Sequence, residues 1–179
     1  MTDVSLSTTN ALLQKQIGNE FFASQQYVAF AVWLDQQALP QLALHFYRQA
    51  VEERNHAMML VRYLMDRDVP VSVPSVPEVR NDLGSVVELV ELALDQEKRV
   101  TTDFEQIIAA ARVDGDYLGE QFTHWFLKEQ VEEVASMSTL LQVAKRVGGN
   151  LMLLEDYLAR EGVTESADPT APPAAGGSL

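Results

Sequence analysis

At 179 residues, 47% of them hydrophobic and 22% charged, the chain is long enough to bury the core of one domain without disulfides or a structural metal. A formal net charge of −13, from 26 acidic and 13 basic residues, repels a phosphate backbone and argues against nucleic acid as a partner. The absence of cysteine removes zinc ribbons, iron–sulfur clusters and thiol nucleophiles, so any metal must be held by oxygen and imidazole.

The opening MTDVSLSTTN has no basic or apolar leader-like stretch, and no run approaches 18 uninterrupted apolar residues, so the expectation is a cytoplasmic protein without membrane contact. A first helix is expected to start at the Ser7-Thr8-Thr9 cluster, which offers capping oxygens, and to run to about Gln37, just before Pro40. A second runs from Pro40, tolerated in a first turn, to about Arg67. Residues 68–84, DVPVSVPSVPEVRNDLG, carry three prolines and read as an extended connector. A third helix runs from Ser85 to about Val113, stopped by Asp114-Gly115, and a fourth from Asp116 to about Val147, stopped by Gly148-Gly149. A short fifth spans Asn150 to Glu161. Residues 1–162 are therefore expected to form the folded unit, with 163–179 a Pro/Gly/Ala-rich tail.

Link lengths set the topology. The first and second helices, and the third and fourth, are joined by a few residues and should be antiparallel neighbours. A long helix of this kind measures roughly 42 Å, and the connector can reach roughly 55 Å, so it can travel the whole bundle and leave the second and third helices parallel. The fold class is all-α, a four-helix bundle with a long crossover and a short fifth helix.

Each long helix has an apolar seam, and each seam is interrupted near its middle. The first reads Leu13, Ile17, Glu20, Ser24, Tyr27, Ala31, Leu34; the second Leu42, Phe46, Gln49, Glu53, His56, Leu60. The third reads Val90, Leu94, Glu97, Thr101, Phe104, Ile108, Ala111; the fourth Phe122, Phe126, Gln130, Glu133, Met137, Leu140, Ala144. Four carboxylates at one buried level repel one another and lose hydration, so they must take up protons or bind cations. The seams supply no Lys or Arg there, whereas two divalent cations neutralise four carboxylates, and His56 adds a neutral nitrogen one turn from Glu53. Buried protonated acids or a chance register are the alternatives. Oxygen-rich ligands with one imidazole suit iron or manganese better than zinc or copper.

A glutamate from two helices with Glu-x-x-His from two others is the arrangement of ferritin-like carboxylate bundles, and the chain carries three of those four elements. On the fourth helix, Gln130-Val131-Glu132-Glu133 has Gln130 where the upstream Glu would stand and Glu133 in place of the second His. The segments NEFFASQQY, HFYRQAVEERNHAMMLV, ALDQEK and QFTHWFLKEQVEEV resemble the bacterial non-haem ferritins, from Leu12 to about Glu161. By that resemblance Glu20, Glu53 and His56 hold a first iron, Glu53 bridges, and Glu97 with Glu133 holds a second, with Gln130 close by. A third, looser position nearer a cavity would use Glu52, Glu129, Glu132 and a shared Glu133; a solvated helix face explains the first three equally well. Tyr27 and Trp125 match the redox-active neighbours of the family's iron site, core packing being the alternative for both.

His45 and His124 fall off the seam and are read as surface or interface residues. Bacterioferritins, which carry haem, have a methionine directly after the second helix's glutamate; here that residue is Arg54, and Met58 and Met59 read as core or contact residues. The resemblance implies a ferroxidase. Two ferrous ions per subunit would be oxidised by dioxygen or hydrogen peroxide and stored as ferric mineral inside a 24-subunit shell, without haem. The alternatives are a haem-containing bacterioferritin, or a non-catalytic helical scaffold whose polar seam only sets register.

Overall fold

A computed structural model describes residues 7–161 and 168–179. The expectations at residues 1–6 and at the junction between bundle and tail, 162–167, lie outside the described residues. Among those described, five helices and no strand form: α1 (Thr8–Gln36), α2 (Pro40–Asp66), α3 (Val86–Asp114), α4 (Tyr117–Val147) and α5 (Leu151–Glu161). The boundaries expected from capping residues and glycines agree to within two residues.

Local chemistry explains most helix ends. The side chains of Ser7, Ser85 and Asp116 accept hydrogen bonds from the amides of Asn10, Glu88 and Gly119, satisfying donors that have no partner inside the helix. Gly148 ends α4 at φ 57°, ψ −127°, a backbone conformation that a Cβ would strain. The start of α2 is different. Leu39 offers no capping side chain, and the amides of Gln41 and Leu42 instead donate to the two carboxylate oxygens of Glu155 on α5, at 2.8 and 2.9 Å. The fifth helix thereby closes the open end of the second.

Cross-helix pairs establish the topology. Thr9 bonds Asp114, Asn19 bonds Asp103 and Tyr27 bonds Glu97, so α1 and α3 run antiparallel. Arg67 pairs with Asp116 and Tyr63 stacks on Phe122, so α2 and α4 do too. Ser24 donates to the Ala50 carbonyl across the short α1–α2 link, which makes α1 antiparallel to α2 and leaves α2 parallel to α3. The connector runs along α1, where Gln14 and Gln26 use both ends of their amides to pair with the backbone of Ser72 and Arg80. Unpaired backbone groups of the extended connector are thus satisfied by glutamine side chains. Gly18 permits this close approach: a Cβ there would stand 3.0 Å from Cγ of Pro74.

The core is divided in two. One apolar cluster includes Phe30, Leu34, Leu42, Phe46, Leu89, Leu140 and Leu154; the other includes Leu13, Ile17, Leu60, Leu64, Phe104 and Phe126. The interrupted seam residues lie between them. Residues 168–179 lie along the bundle. Ala171, Ala174 and Ala175 pack against the second cluster, the Ala175 amide donates to the Met58 carbonyl at 3.0 Å, and the Leu179 amide donates to Oδ1 of Asn55 at 3.1 Å.

Candidate metal centre

The polar interruptions meet inside the bundle because each sits at the same height on its helix. Glu20 and Glu97 are fully buried, Glu53 is 2% exposed, His56 3% and Glu133 8%, and no Lys or Arg is buried among the described residues. One ligand atom each from Glu20, Glu53 and His56 lies within 4.8 Å of the others. His56 Nδ1 stands 3.2 Å from Oε2 of Glu53. Glu97 and Glu133 stay outside this trio yet remain in charge contact with Glu53, and both push its pKa up.

Neighbours hold the carboxylates in position. Gln16 donates to Oε1 of Glu20 at 2.8 Å, while Oε2 of Glu20 is buried without a partner. The Tyr27 hydroxyl donates to one Glu97 oxygen, and the Gln130 amide donates to the other at 3.4 Å. Thr101 orients Gln130 by donating to its oxygen at 3.0 Å. Gln16 was missed from sequence, although it lies one helical turn before Glu20 on the same face. Tyr27 reaches the acid directly, so it is more than packing.

Burial, first, and the neighbouring carboxylate of Glu53, second, hold the Glu20 pKa well above the ordinary range. Burial and Glu97 do the same for Glu53, and burial raises Glu97. Such a cluster is strained when fully ionised, and a cation relieves it. Of the residues assigned by resemblance to a third position, Glu52 and Glu129 are half-buried and Glu132 is exposed. Gln49 donates to Glu52 at 2.8 Å, Lys128 lies 3.6 Å from Glu129, and burial raises the Glu129 pKa. These three do not converge as closely as the inner trio.

Trp125 is half-buried and meets the His56 ring edge to face at 5.7 Å. His124 is exposed beside Glu120, as expected. His45 is half-buried, with its Nε2 enclosed, and burial, then Arg48, lowers its pKa to about 4. It lines a groove of about 370 Å³ between α2, α4 and α5. Met59 is buried in the second core cluster.

A bundle of this topology with a carboxylate–histidine cluster at mid-height defines a class of proteins, and comparison agrees with it. The ferritin-like domain family matches residues 10–147. The chain is 58% identical over 170 residues to a ferritin, BfrB, of Mycolicibacterium smegmatis, covering 95% of this chain and 94% of the relative. It is equally similar to a Mycobacterium tuberculosis protein called bacterioferritin BfrB, and 35% identical over 145 residues to a bacterial non-haem ferritin of Staphylococcus aureus, covering 81% and 87%. An open-pore ferritin structure from Archaeoglobus fulgidus superposes with a TM-score of 0.83 at 25% identity, covering 89% and 98%.

The chain belongs to the ferritin family of iron-storage proteins.

Proposed function

We propose that the protein is a non-haem ferritin subunit with ferroxidase activity. Glu20, Glu53 and His56 take one ferrous ion, Glu97 and Glu133 the second, and Glu53 bridges, while Gln130 and Tyr27 orient Glu97. Two ferrous ions give up one electron each to a two-electron acceptor, either dioxygen, which becomes hydrogen peroxide with two protons, or peroxide, which becomes water. The ferric product leaves toward Glu52, Glu129 and Glu132 and is hydrolysed to hydrous oxide. The observation that carries this reading is a set of buried carboxylates, three with raised pKa, at one level with no buried Lys or Arg to neutralise them.

The same reading includes a closed homo-oligomer of 24 subunits in the cytoplasm, with residues 1–162 as the structural unit. Val28, Val32, Leu44, Tyr47 and Val51 are 37–42% exposed on α1 and α2, and Met152 and Leu153 are more exposed on α5, as expected of surfaces covered by other subunits. No described helix is long and apolar enough to cross a membrane.

The test is an anaerobic ferrous titration of the assembled protein, then exposure to oxygen with ferric absorbance recorded. Two ions per subunit and a rapid rise are expected, and Glu53→Ala should lose the rise while keeping its helicity. A non-catalytic scaffold takes up no iron, and wild-type rates in Glu53→Ala would reject the assignment. A haem-binding reading is favoured by one relative's name, bacterioferritin. Arg54 in place of a methionine and the burial of Met59 speak against it. Haem added to the metal-free shell should leave no bound Soret absorbance after gel filtration.

A further inference from the structure

The His56 imidazole is flanked by two aromatic rings, Trp125 at 5.7 Å and Phe126 at 5.6 Å, both edge to face. Phe126 is locked by the core, at 1% exposure. Trp125 is only half-buried, and it also meets Phe126 edge to face at 5.0 Å. What reaches it lies 43 residues away: Nε1 of Trp125 donates to Oδ2 of Asp168 at 3.2 Å. Asp168 is itself fixed. Its Oδ1 accepts from the Thr170 amide at 2.8 Å and the Thr170 hydroxyl at 2.7 Å, and Lys128 Nζ lies 3.5 Å from Oδ2. The contacts of Ala175 with Met58 and of Leu179 with Asn55 hold the rest of the segment across α2, beside Glu53 and His56.

We propose that Asp168 is a positioning residue of the metal centre, acting through Trp125 to set the orientation of His56. The inference rests on the ferroxidase reading. An indole has one N–H donor, so a single well-held acceptor decides its tilt. Aromatic edge contacts then pass that tilt to the neighbouring ring. His56 Nδ1 faces Glu53, and an imidazole free to rock would present that nitrogen to iron for only part of the time. The residue type also matters: a carboxylate has two acceptor oxygens and can serve Thr170 and Trp125 together, whereas asparagine has one.

The experiment uses assembled full-length protein carrying Trp33→Phe, which leaves Trp125 as the sole tryptophan of the two in the chain. In that background Asp168→Ala and Asp168→Asn are examined without metal for Trp125 emission and anisotropy. Single-turnover oxidation of two ferrous ions per subunit is then timed for both, for Trp125→Phe, and for Trp125→Phe combined with Asp168→Ala. Expected are lower Trp125 anisotropy and roughly tenfold slower oxidation in both Asp168 variants, with the double variant no slower than Trp125→Phe alone. Unchanged anisotropy, an unchanged rate, or losses that multiply in the double variant would overturn the proposal. Loss of the shell in both Asp168 variants would assign Asp168 to assembly and overturn it equally. Failure of the parent itself to oxidise iron would reject the ferroxidase reading, while the anisotropy comparison still reports on the Asp168–Trp125 link.

Discussion

Glu20 and Glu53 show how a residue's environment sets its chemistry. Both are buried beside one another, and Oε2 of Glu20 has no partner; burial and then the Glu53 carboxylate raise the Glu20 pKa, while burial and then the Glu97 carboxylate raise that of Glu53. A carboxyl raised in the folded state contributes stability that is complete below the ordinary carboxylate range and is lost as pH rises through the raised value. The metal-free protein should therefore lose stability between mildly acidic and neutral-to-alkaline pH, and a divalent cation should restore it. Thermal unfolding at several pH values, with and without ferrous ion under argon, measures this; metal uptake should also release protons in a pH-stat. Uptake without proton release would contradict shared protons in the cluster. Glu53→Ala removes a buried charge, so its metal-free melting temperature should equal or exceed that of the parent. Glu132→Ala, at an exposed position, should leave the initial oxidation rate intact and slow later turnovers. Equal initial losses in both variants would show that inner and outer positions are not separate.

At the scale of elements, α5 and α2 depend on each other. Glu155 caps two amides at the start of α2, and Leu154 is buried in the first core cluster. Replacing Glu155 by Ala removes hydrogen bonds to a helix N-terminus and a favourable charge near its dipole, a cost of about 1–2 kcal/mol. Chemical denaturation should show the lower midpoint, and an unchanged midpoint would mean that water replaces the carboxylate fully. The Pro-rich connector is held by Gln14 and Gln26, and Gly18 leaves room for Pro74. Gly18→Val should loosen this contact and destabilise by about 1–3 kcal/mol through overpacking, read by the same denaturation measurement.

For the whole molecule, α5 has a double role. Its apolar surface is partly spent on its own bundle, where Leu151, Leu154, Tyr157 and Leu158 join the first cluster, while Met152 and Leu153 remain exposed. Ending the chain after Gly149 should therefore disturb particle size and also lower subunit stability. Ending it after Gly162 removes the docked segment and should preserve the shell while uncovering Met58 and Trp125. Light scattering and circular dichroism on both truncations decide: a full-size, equally stable particle from the shorter chain would reject the role given to α5. Failure of the longer chain to assemble would mean that the docked segment builds the shell.

Periodicity and punctuation in the sequence were sufficient for five helices, their ends, the long crossover and the level at which Glu20, Glu53, His56, Glu97 and Glu133 lie. These are local properties: a 3.6-residue repeat states which face turns inward, and proline and glycine state where a helix cannot continue. Link lengths then left few topologies. The enclosure of the His45 Nε2 atom, the capping of α2 by Glu155, the bracing of the connector by glutamines, and the docking of Asp168 on Trp125 left no such trace. Each joins residues far apart in the chain through one or two hydrogen bonds or a packing contact, and no spacing rule records which distant partner satisfies a given polar group. That choice is made only when the helices have packed and every buried donor and acceptor must find a partner within reach.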